Sequence, residues 1–340
     1  MRQALPGTAL ADHGVMATIA VLGAGAIGQF YGVQLLRAGH TLRFCARRDA
    51  PRLRTQGVRG TQTPTDQVAG TRQRTDLDEP ASAFTVVERA EDLRRDGDPD
   101  WLLVAAKLTD GAAVAAQAAA AAGPETRIAV LGNGLGAEEL IASRCAPQRI
   151  FGMICAVCVN RHADGSIHHQ AHGQVMVGHL QDDPEAREAL AALCRGAGIL
   201  TRSCPSLAEA RWRKLVWNVP YNGLCTVHDC ATDRILADEA LRARSLRLMD
   251  EVLAVANADL GGDRIPPSWA EEQERRTRAM GPYLPSTTLD LRAGIPLELD
   301  LIFAEPLRRA ARLGMSTPEL AALVRELSLA DPARPDRVAP

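Results

Sequence analysis

The segment from residue 18 to residue 47 constrains the fold more than any other part of this chain. It begins with a short apolar run, TIAVL, passes through the glycine turn GAGAIG, and continues in the helical pattern QFYGVQLLRAG. A second apolar run, TLRFCAR, follows at once. A strand, a glycine turn, a helix and a second strand within about thirty residues predict a βαβ unit.

The glycine turn has the spacing G-x-G-x-x-G. The first glycine permits a tight turn, the second lets the backbone approach a pyrophosphate, and the third lets the helix and strand pack closely. Free N–H groups and the helix dipole favour phosphate at this position. We therefore predict a dinucleotide site formed by Gly23, Gly25, Ala26, Ile27 and Gly28. A structural glycine turn that binds no nucleotide is the alternative.

The end of the second strand indicates which dinucleotide binds. An acidic side chain at this place favours NAD, whereas arginine favours the 2′-phosphate of NADP. The strand ends in FCARRD, which supplies Arg47 and Arg48, and Asp49 follows one or two positions beyond the usual place. The sequence predicts NADP (NADPH) as the cofactor, and two solvated surface arginines are the alternative.

The remaining patterns divide the chain into two parts. WLLVAAK and RIAVLGNG are further buried runs between helical patterns, which indicates a parallel sheet covered on both faces. Residues 151 to 203 are expected to form mixed strands with one helix. From Ser206, which can cap the next helix, long helical patterns dominate.

The predicted fold class is α/β, with an N-terminal Rossmann-type dinucleotide-binding domain and a C-terminal all-helical domain. We expect the NADP-binding domain at residues 16–205 and the substrate and catalytic domain at 206–330. Flexible tails are expected at 1–15 and 331–340. Translation from Met1 or from Met16 remains open, because MATIAVLGAGAIG has the pattern of a domain start.

Charge and hydropathy exclude several classes of partner. The 340 residues carry a net charge of −2 with no basic block, which argues against nucleic acid as a ligand. No apolar run reaches membrane-spanning length, and the first fifteen residues lack the apolar core of a signal peptide. We therefore expect a cytoplasmic protein without a nucleic-acid or membrane partner.

Eight cysteines are scattered along the chain, and reduced thiols are their expected state. Four of the cysteine and histidine positions approximate a zinc-finger spacing, namely Cys155, Cys158, His168 and His172. The gap between the two pairs is shorter than usual, and ICAVCVN is typical of a buried strand. We predict packing thiols and no metal site.

The apolar helix RWRKLVWNVPYNGLCTV carries an unexpected polar stripe. Lys214, Asn218 and Asn222 recur at steps of four, so they fall within an arc of about 80°. This geometry requires that Pro220 kinks the helix only slightly. Burying the stripe unpaired would cost several kcal/mol, so it should face a polar cavity.

Five ordered motifs, from about Thr18 to Leu327, resemble those of the ketopantoate reductases (2-dehydropantoate 2-reductases). They are VLGAGAIGQFYGVQLLRAGH, LLVAAKLTD, VLGNGLGAEE, RWRKLVWNVPYNGL and LPSTTLDLRAGIPLELD. The resemblance implies an NADPH-binding Rossmann domain, a helical domain, and a substrate in the cleft between them.

The resemblance also implies a role for individual residues. The three glycines would bind the pyrophosphate and Arg47 the 2′-phosphate. The residues beside the cofactor and its nicotinamide would be Lys107 and Asn133. The substrate would be bound by Asn218, Asn222 and Ser286, and the catalytic pair would be Lys214 and Glu298. A snorkelling lysine, an N-cap serine and a surface glutamate are the structural alternatives.

The implied reaction is the NADPH-dependent reduction of a 2-oxo acid, most simply 2-dehydropantoate to pantoate. Hydride transfer places negative charge on the carbonyl oxygen, and a protonated Lys214 stabilises that charge and then donates its proton. With an ordinary pKa near 10.4, the lysine should be protonated at working pH. Glu298 can offset its charge and accept a hydrogen bond from a substrate hydroxyl.

Three positions depart from the family pattern where a substrate tail would be held: Tyr283, Thr287 and Thr288. They leave open a reductase for a different, bulkier or aromatic 2-oxo acid. A non-catalytic NADP-binding sensor is an alternative of another class. A homodimer also remains open, because LRLMDEVLAVANADL can form a subunit contact or fill the core.

Overall fold

A computed structural model describes residues 16–63 and 75–333. The predicted extension at 1–15 and the last seven residues of the predicted tail lie outside this range. Asp331, which the sequence assigned to the tail, instead accepts a hydrogen bond from the Leu297 amide at 3.2 Å.

The first half contains ten strands and five helices in the described range. The strands are β1 Thr18–Leu22, β2 Thr41–Cys45, β3 Gly60–Gln62, β4 Thr75–Asp76, β5 Thr85–Val87, β6 Trp101–Val104, β7 Arg127–Val130, β8 Ile150–Arg161, β9 Ile167–His179 and β10 Thr201–Ser203. The helices are α1 Ala26–Arg37, α2 Ala50–Gln56, α3 Gly111–Ala121, α4 Ala137–Ala142 and α5 Pro184–Gly196.

All ten strands belong to one sheet, in the order β4-β3-β9-β8-β7-β6-β1-β2-β5, with β10 paired to β9. Six neighbouring strands are parallel to one another, as predicted: β8, β7, β6, β1, β2 and β5. β8 and β9 form an antiparallel hairpin with two bulges. The chain continues from β1 to β2 on one side and later adds β6 on the other side of β1. The strand order therefore reverses at β1, and nucleotides bind at the carboxyl end of the strand where such a reversal occurs.

Both faces of the sheet are buried, as continuous apolar strands predict. Ile19 and Val21 of β1 pack into the core beneath α1 and α5, whereas Ala20 and Leu22 pack into the core beneath α3 and α4. All four side chains are at most 2% exposed.

The second half is helical throughout the described range. Its helices are α6 Leu207–Val227, α7 Thr232–Ala237, α8 Glu239–Asp259, α9 Ser268–Met280, α10 Ser286–Arg292, α11 Glu305–Arg312 and α12 Pro318–Ala330, with a π-helical turn at Asp300–Ala304. Ser206 caps α6 by accepting a hydrogen bond from the Glu209 amide, as predicted. No described helix has the length and apolar character needed to cross a bilayer.

Helix α8 fills the core of the helical half. Leu248, Met249, Val252 and Val255 are fully buried against α6 and α12 within a single chain. This apolar face is therefore used inside the protomer, which removes the sequence argument for a subunit contact along LRLMDEVLAVANADL.

Candidate active site

The glycine turn has the geometry that a dinucleotide requires. Gly23 has φ +100°, and a Cβ there would lie 2.5 Å from the Ala106 nitrogen. A Cβ on Gly28 would lie 2.2 Å from the Gly23 oxygen, so this position is reserved for close helix packing. A Cβ on Gly25 would meet nothing within 4 Å. The open space lies at the glycine assigned to the pyrophosphate, so the turn fits a dinucleotide.

A cavity of about 440 Å³ lies against this turn, at the carboxyl ends of β1 and β2. Gly23, Gly25 and Arg47 line it, whereas Arg48 does not contribute to its lining. Arg47 is exposed and has no carboxylate partner in the described part of the chain. Its guanidinium is therefore available to a phosphate.

Helix α6 places Lys214 against β8 and the loop after β7. Its Nζ donates to the Asn133 side-chain oxygen at 2.6 Å and to the Cys155 carbonyl at 2.8 Å. Asn133 lies in the loop after β7, and Cys155 lies on β8. The amine therefore points into the junction between the two halves, which rules out the solvated, snorkelling lysine.

The pKa of Lys214 is lower than the sequence predicted. Burial lowers it to about 8, with a further lowering by the Arg211 charge, while Cys155 and Glu298 act in the opposite direction. Desolvation penalises the ammonium form. Lys214 is still mostly protonated at pH 7, but it is a stronger acid than an ordinary lysine.

Arg211, one helical turn before Lys214, ties α6 to the sheet. Its guanidinium pairs with Glu138 and donates to the carbonyls of Gly132, at 2.6 Å, and Val130, at 3.2 Å. Arg211 and Glu138 are each 2% exposed. Because Gly132 precedes Asn133, this buried pair fixes the lysine and its asparagine partner relative to each other.

Glu298 reaches the same junction from the helical half. Its carboxylate accepts a hydrogen bond from the Leu108 amide at 3.0 Å, and burial raises its pKa. The structure gives it no direct bond to Lys214, and the two charges act on each other through space. The surface-charge alternative is wrong, and the expected offset of charge is electrostatic only.

Lys107 forms an ion pair with Asp290 on α10. Asp290 is the less exposed partner, at 14% against 42% for Lys107. This contact joins the end of β6 to the helical half, and Lys107 does not line the glycine-turn cavity.

The two asparagines of the polar stripe are buried. Helix α6 runs without interruption through Pro220, and Asn218 and Asn222 are 4% and 3% exposed. The Asn222 Oδ1 has no hydrogen-bond partner among the described residues. Ser286 is the exposed first residue of α10, where Pro285 takes the cap position, so the N-cap alternative is wrong.

Aromatic side chains lie beside the stripe. The Trp217 ring is 5.4 Å from that of Tyr221 and 6.1 Å from that of Tyr283, measured between centroids. Tyr283 also interacts with the Cys158 thiol across the junction, and burial together with this thiol raises the pKa of its hydroxyl. Thr288, in contrast, is fully buried and bonds Thr226 of α6 at 3.1 Å. Of the predicted departures, Tyr283 borders the junction, whereas Thr288 serves helix packing.

The ICAVCVN strand is buried only in part. Cys155 is 5% exposed, but the residues from Ala156 onward are exposed or half-buried. His168 bonds Thr61 and Ser166. Within the described ranges, no three metal-ligating side chains cluster.

Sequence reasoning missed Cys155, Arg211 and Asp290. Cys155 acts through its backbone carbonyl, which no residue pattern identifies. Arg211 belongs to the RWRK motif, but its partner lies 73 positions away. Asp290 had a usable signal, because it follows Ser286 by four residues and therefore lies on the same helix face.

These features define a two-domain, dinucleotide-dependent oxidoreductase. Models of the ketopantoate reductase PanE/ApbA family match residues 19–182, and those of its C-terminal domain match residues 206–330. The chain therefore belongs to the ketopantoate reductase family. The family uses NADPH, which agrees with the cofactor predicted from Arg47.

Individual relatives agree with this membership. A 2-dehydropantoate 2-reductase from Nostoc sp. is 30% identical over 320 residues, covering 92% of this chain and 94% of its own length. The crystal structure of a 2-dehydropantoate 2-reductase from Geobacter metallireducens GS-15 superposes with a TM-score of 0.83 at 33% identity, covering 92% of this chain and 99% of that one.

A second structure, D-mandelate dehydrogenase with NADH and anilino(oxo)acetate, has a TM-score of 0.80 at 18% identity, covering 92% of this chain and 98% of that one. It shows the shared fold alone. Together with the structure from Geobacter metallireducens, it confirms the predicted α/β architecture with a helical C-terminal half.

Proposed function

We propose that this protein reduces 2-dehydropantoate to pantoate with NADPH, and that Lys214 is the general acid. The observation that carries the proposal is the placement of the Lys214 amine. It is half-buried at the junction, bonded to Asn133 and Cys155, and has a pKa of about 8. A proton donor works best when its pKa lies near the operating pH.

When bound in the glycine-turn cavity, NADPH supplies the hydride. Arg47 and the backbone at Gly25, where no side chain fills the space, would hold its phosphates. The Asn133 side chain, on the loop that begins at the end of β7, fixes the lysine amine next to the cofactor domain. We assign Gly23, Ala26, Ile27, Gly28 and Lys107 to the cofactor side of the cleft.

On the substrate side, Lys214 donates a hydrogen bond to the ketone oxygen and then transfers a proton to it. The unpartnered Asn222 Oδ1 can accept a hydrogen bond from a substrate hydroxyl, and Asn218 and Ser286 offer further polar contacts. Glu298, held by the Leu108 amide, supplies negative charge near the ammonium group.

We further propose that residues 16–205 form the cofactor domain and residues 206–330 the catalytic domain. The catalytic pair, Lys214 and Glu298, belongs to the second domain, whereas Asn133 and the cofactor cavity belong to the first, so the reaction takes place at their junction.

A second candidate is the reduction of an aromatic 2-oxo acid. The observation that favours it is the cluster of Trp217, Tyr221 and Tyr283 beside the polar stripe, since aromatic walls stabilise flat apolar groups. A non-catalytic NADP-binding sensor has no comparable support, because it does not need a lysine held in the cleft by Asn133 and the Cys155 carbonyl.

The decisive assay follows NADPH absorbance with 2-dehydropantoate, pyruvate and phenylglyoxylate, each also tested with NADH. The proposal expects the highest kcat/KM for 2-dehydropantoate with NADPH. A higher value for phenylglyoxylate would favour the aromatic candidate, and no consumption with any 2-oxo acid would leave the sensor.

A further inference from the structure

An acidic side chain lines the cavity at the place where the 2′-phosphate of NADPH is expected. Asp49 lines this cavity together with Arg47, two positions before it in the chain. A free carboxylate here would repel a phosphate dianion, so its charge must be compensated if the site is to prefer NADPH.

The structure shows where the compensating charge comes from. Asp49 is the N-cap residue of α2, yet its side chain makes no capping hydrogen bond. Its carboxylate pairs with the guanidinium of Arg161, the last residue of β8. The long β8–β9 hairpin reaches this point because β3, which follows α2, pairs with β9.

The other carboxylates of the cavity are also paired with arginines, but in solvent. The Arg54–Glu88 pair is 44% and 55% exposed, and the Arg89–Glu91 pair is 74% and 48% exposed. Water screens such charges strongly. The Arg161–Asp49 pair is only 26% and 15% exposed, so its compensation has the largest effect on the cavity.

We propose that Arg161 is a specificity-determining residue for NADPH, acting through Asp49. It neutralises Asp49, which is the least exposed of the carboxylates that line the cavity in the described part of the chain, and this leaves Arg47 as the dominant charge at the 2′-phosphate position. Arg161 itself does not line the cavity, so it affects cofactor binding only by pairing with the Asp49 carboxylate. The inference rests on the proposed use of NADPH, but it does not depend on the identity of the 2-oxo acid.

The test measures the Kd of NADPH and of NADH by fluorescence titration, which needs no turnover. Arg161→Gln should weaken NADPH binding about tenfold and leave NADH nearly unchanged, because only NADPH carries the extra phosphate. Adding Asp49→Asn to this variant should restore most of the NADPH affinity, and Arg161→Lys should keep it.

The matched control is Arg37→Gln, which breaks a pair of similar exposure with Glu79, 37% and 17% exposed, outside the cavity. It should change neither Kd. Equal weakening of both cofactors by Arg161→Gln, no weakening at all, or no rescue by Asp49→Asn would overturn the proposal.

If Arg161→Gln does not fold, Asp49→Asn alone decides the question. It should keep or increase the preference for NADPH, and a lost preference would refute the role of Arg161. Normal selectivity together with no reduction of any 2-oxo acid would remove the proposed reaction and leave this inference standing.

Discussion

The pH dependence of ketone reduction gives the sharpest test of Lys214. Burial lowers its pKa to about 8, and the acid role requires the ammonium form. About 90% of the lysine is protonated at pH 7 and about 10% at pH 9, from the ordinary titration relation. The rate of reduction under saturating NADPH should therefore fall roughly tenfold between these two values.

Two variants assign this fall to Lys214. Lys214→Ala removes the proton donor, and kcat should drop by about 10²–10⁴ while the Kd of NADPH stays near its original value. Lys214→Arg places a guanidinium that remains protonated across the range, so any residual activity should lose the decline above pH 8.

The assay records initial rates of NADPH consumption from pH 6 to pH 10 (about four units) at constant ionic strength, since screening alters charge effects. The reverse reaction, pantoate oxidation, should increase over the same range because it needs the free amine. A rate of reduction that stays constant through pH 9, or a decline that persists in Lys214→Arg, would refute the assignment.

Other predictions concern the glycine turn, the buried ion pair and the aromatic wall. Gly25→Val should weaken NADPH binding at least tenfold with little change in Tm, because its side chain would enter the open space of the turn. Gly23→Ala should weaken binding and also lower Tm, because its Cβ would contact backbone atoms. Titrations measure the change in binding, and thermal melts measure the change in Tm. Arg211→Met should lower the free energy of unfolding by about 3–5 kcal/mol in urea denaturation, since it leaves Glu138 buried and unpaired. Adding Glu138→Leu should recover much of that loss. Tyr283→Asn should raise kcat/KM for 2-dehydropantoate relative to phenylglyoxylate if the ring borders the substrate, and an unchanged ratio would place it outside the substrate site.

The sequence predicted those features that local patterns determine. The apolar run of β1, the glycine spacing and the Ser206 cap each lie within a few residues, so the βαβ unit and the start of α6 were found with accurate bounds. The stripe of Lys214, Asn218 and Asn222 was also found, since Pro220 leaves α6 continuous.

The contacts that long-range packing determines were not predicted. The pKa of Lys214 depends on burial by β8 and by the loop after β7, which lie 59 and 81 positions away. The pairing of Asp49 with Arg161 spans 112 positions and depends on the path of the β8–β9 hairpin. The ordinary pKa assumed for Lys214 followed from reading that residue without these neighbours.

The described contacts at the junction have a consequence for how such a protein can be altered. Each joins a residue of one half to a residue of the other: Lys214 to Asn133, Arg211 to Glu138, Lys107 to Asp290, and Glu298 to the Leu108 amide. In a chimera that joins the helical half of a distant relative to this sheet, the catalytic lysine would stay in place only if that helical half carried residues that fit the partners on the sheet. Residues that contact each other across the junction must therefore be exchanged together.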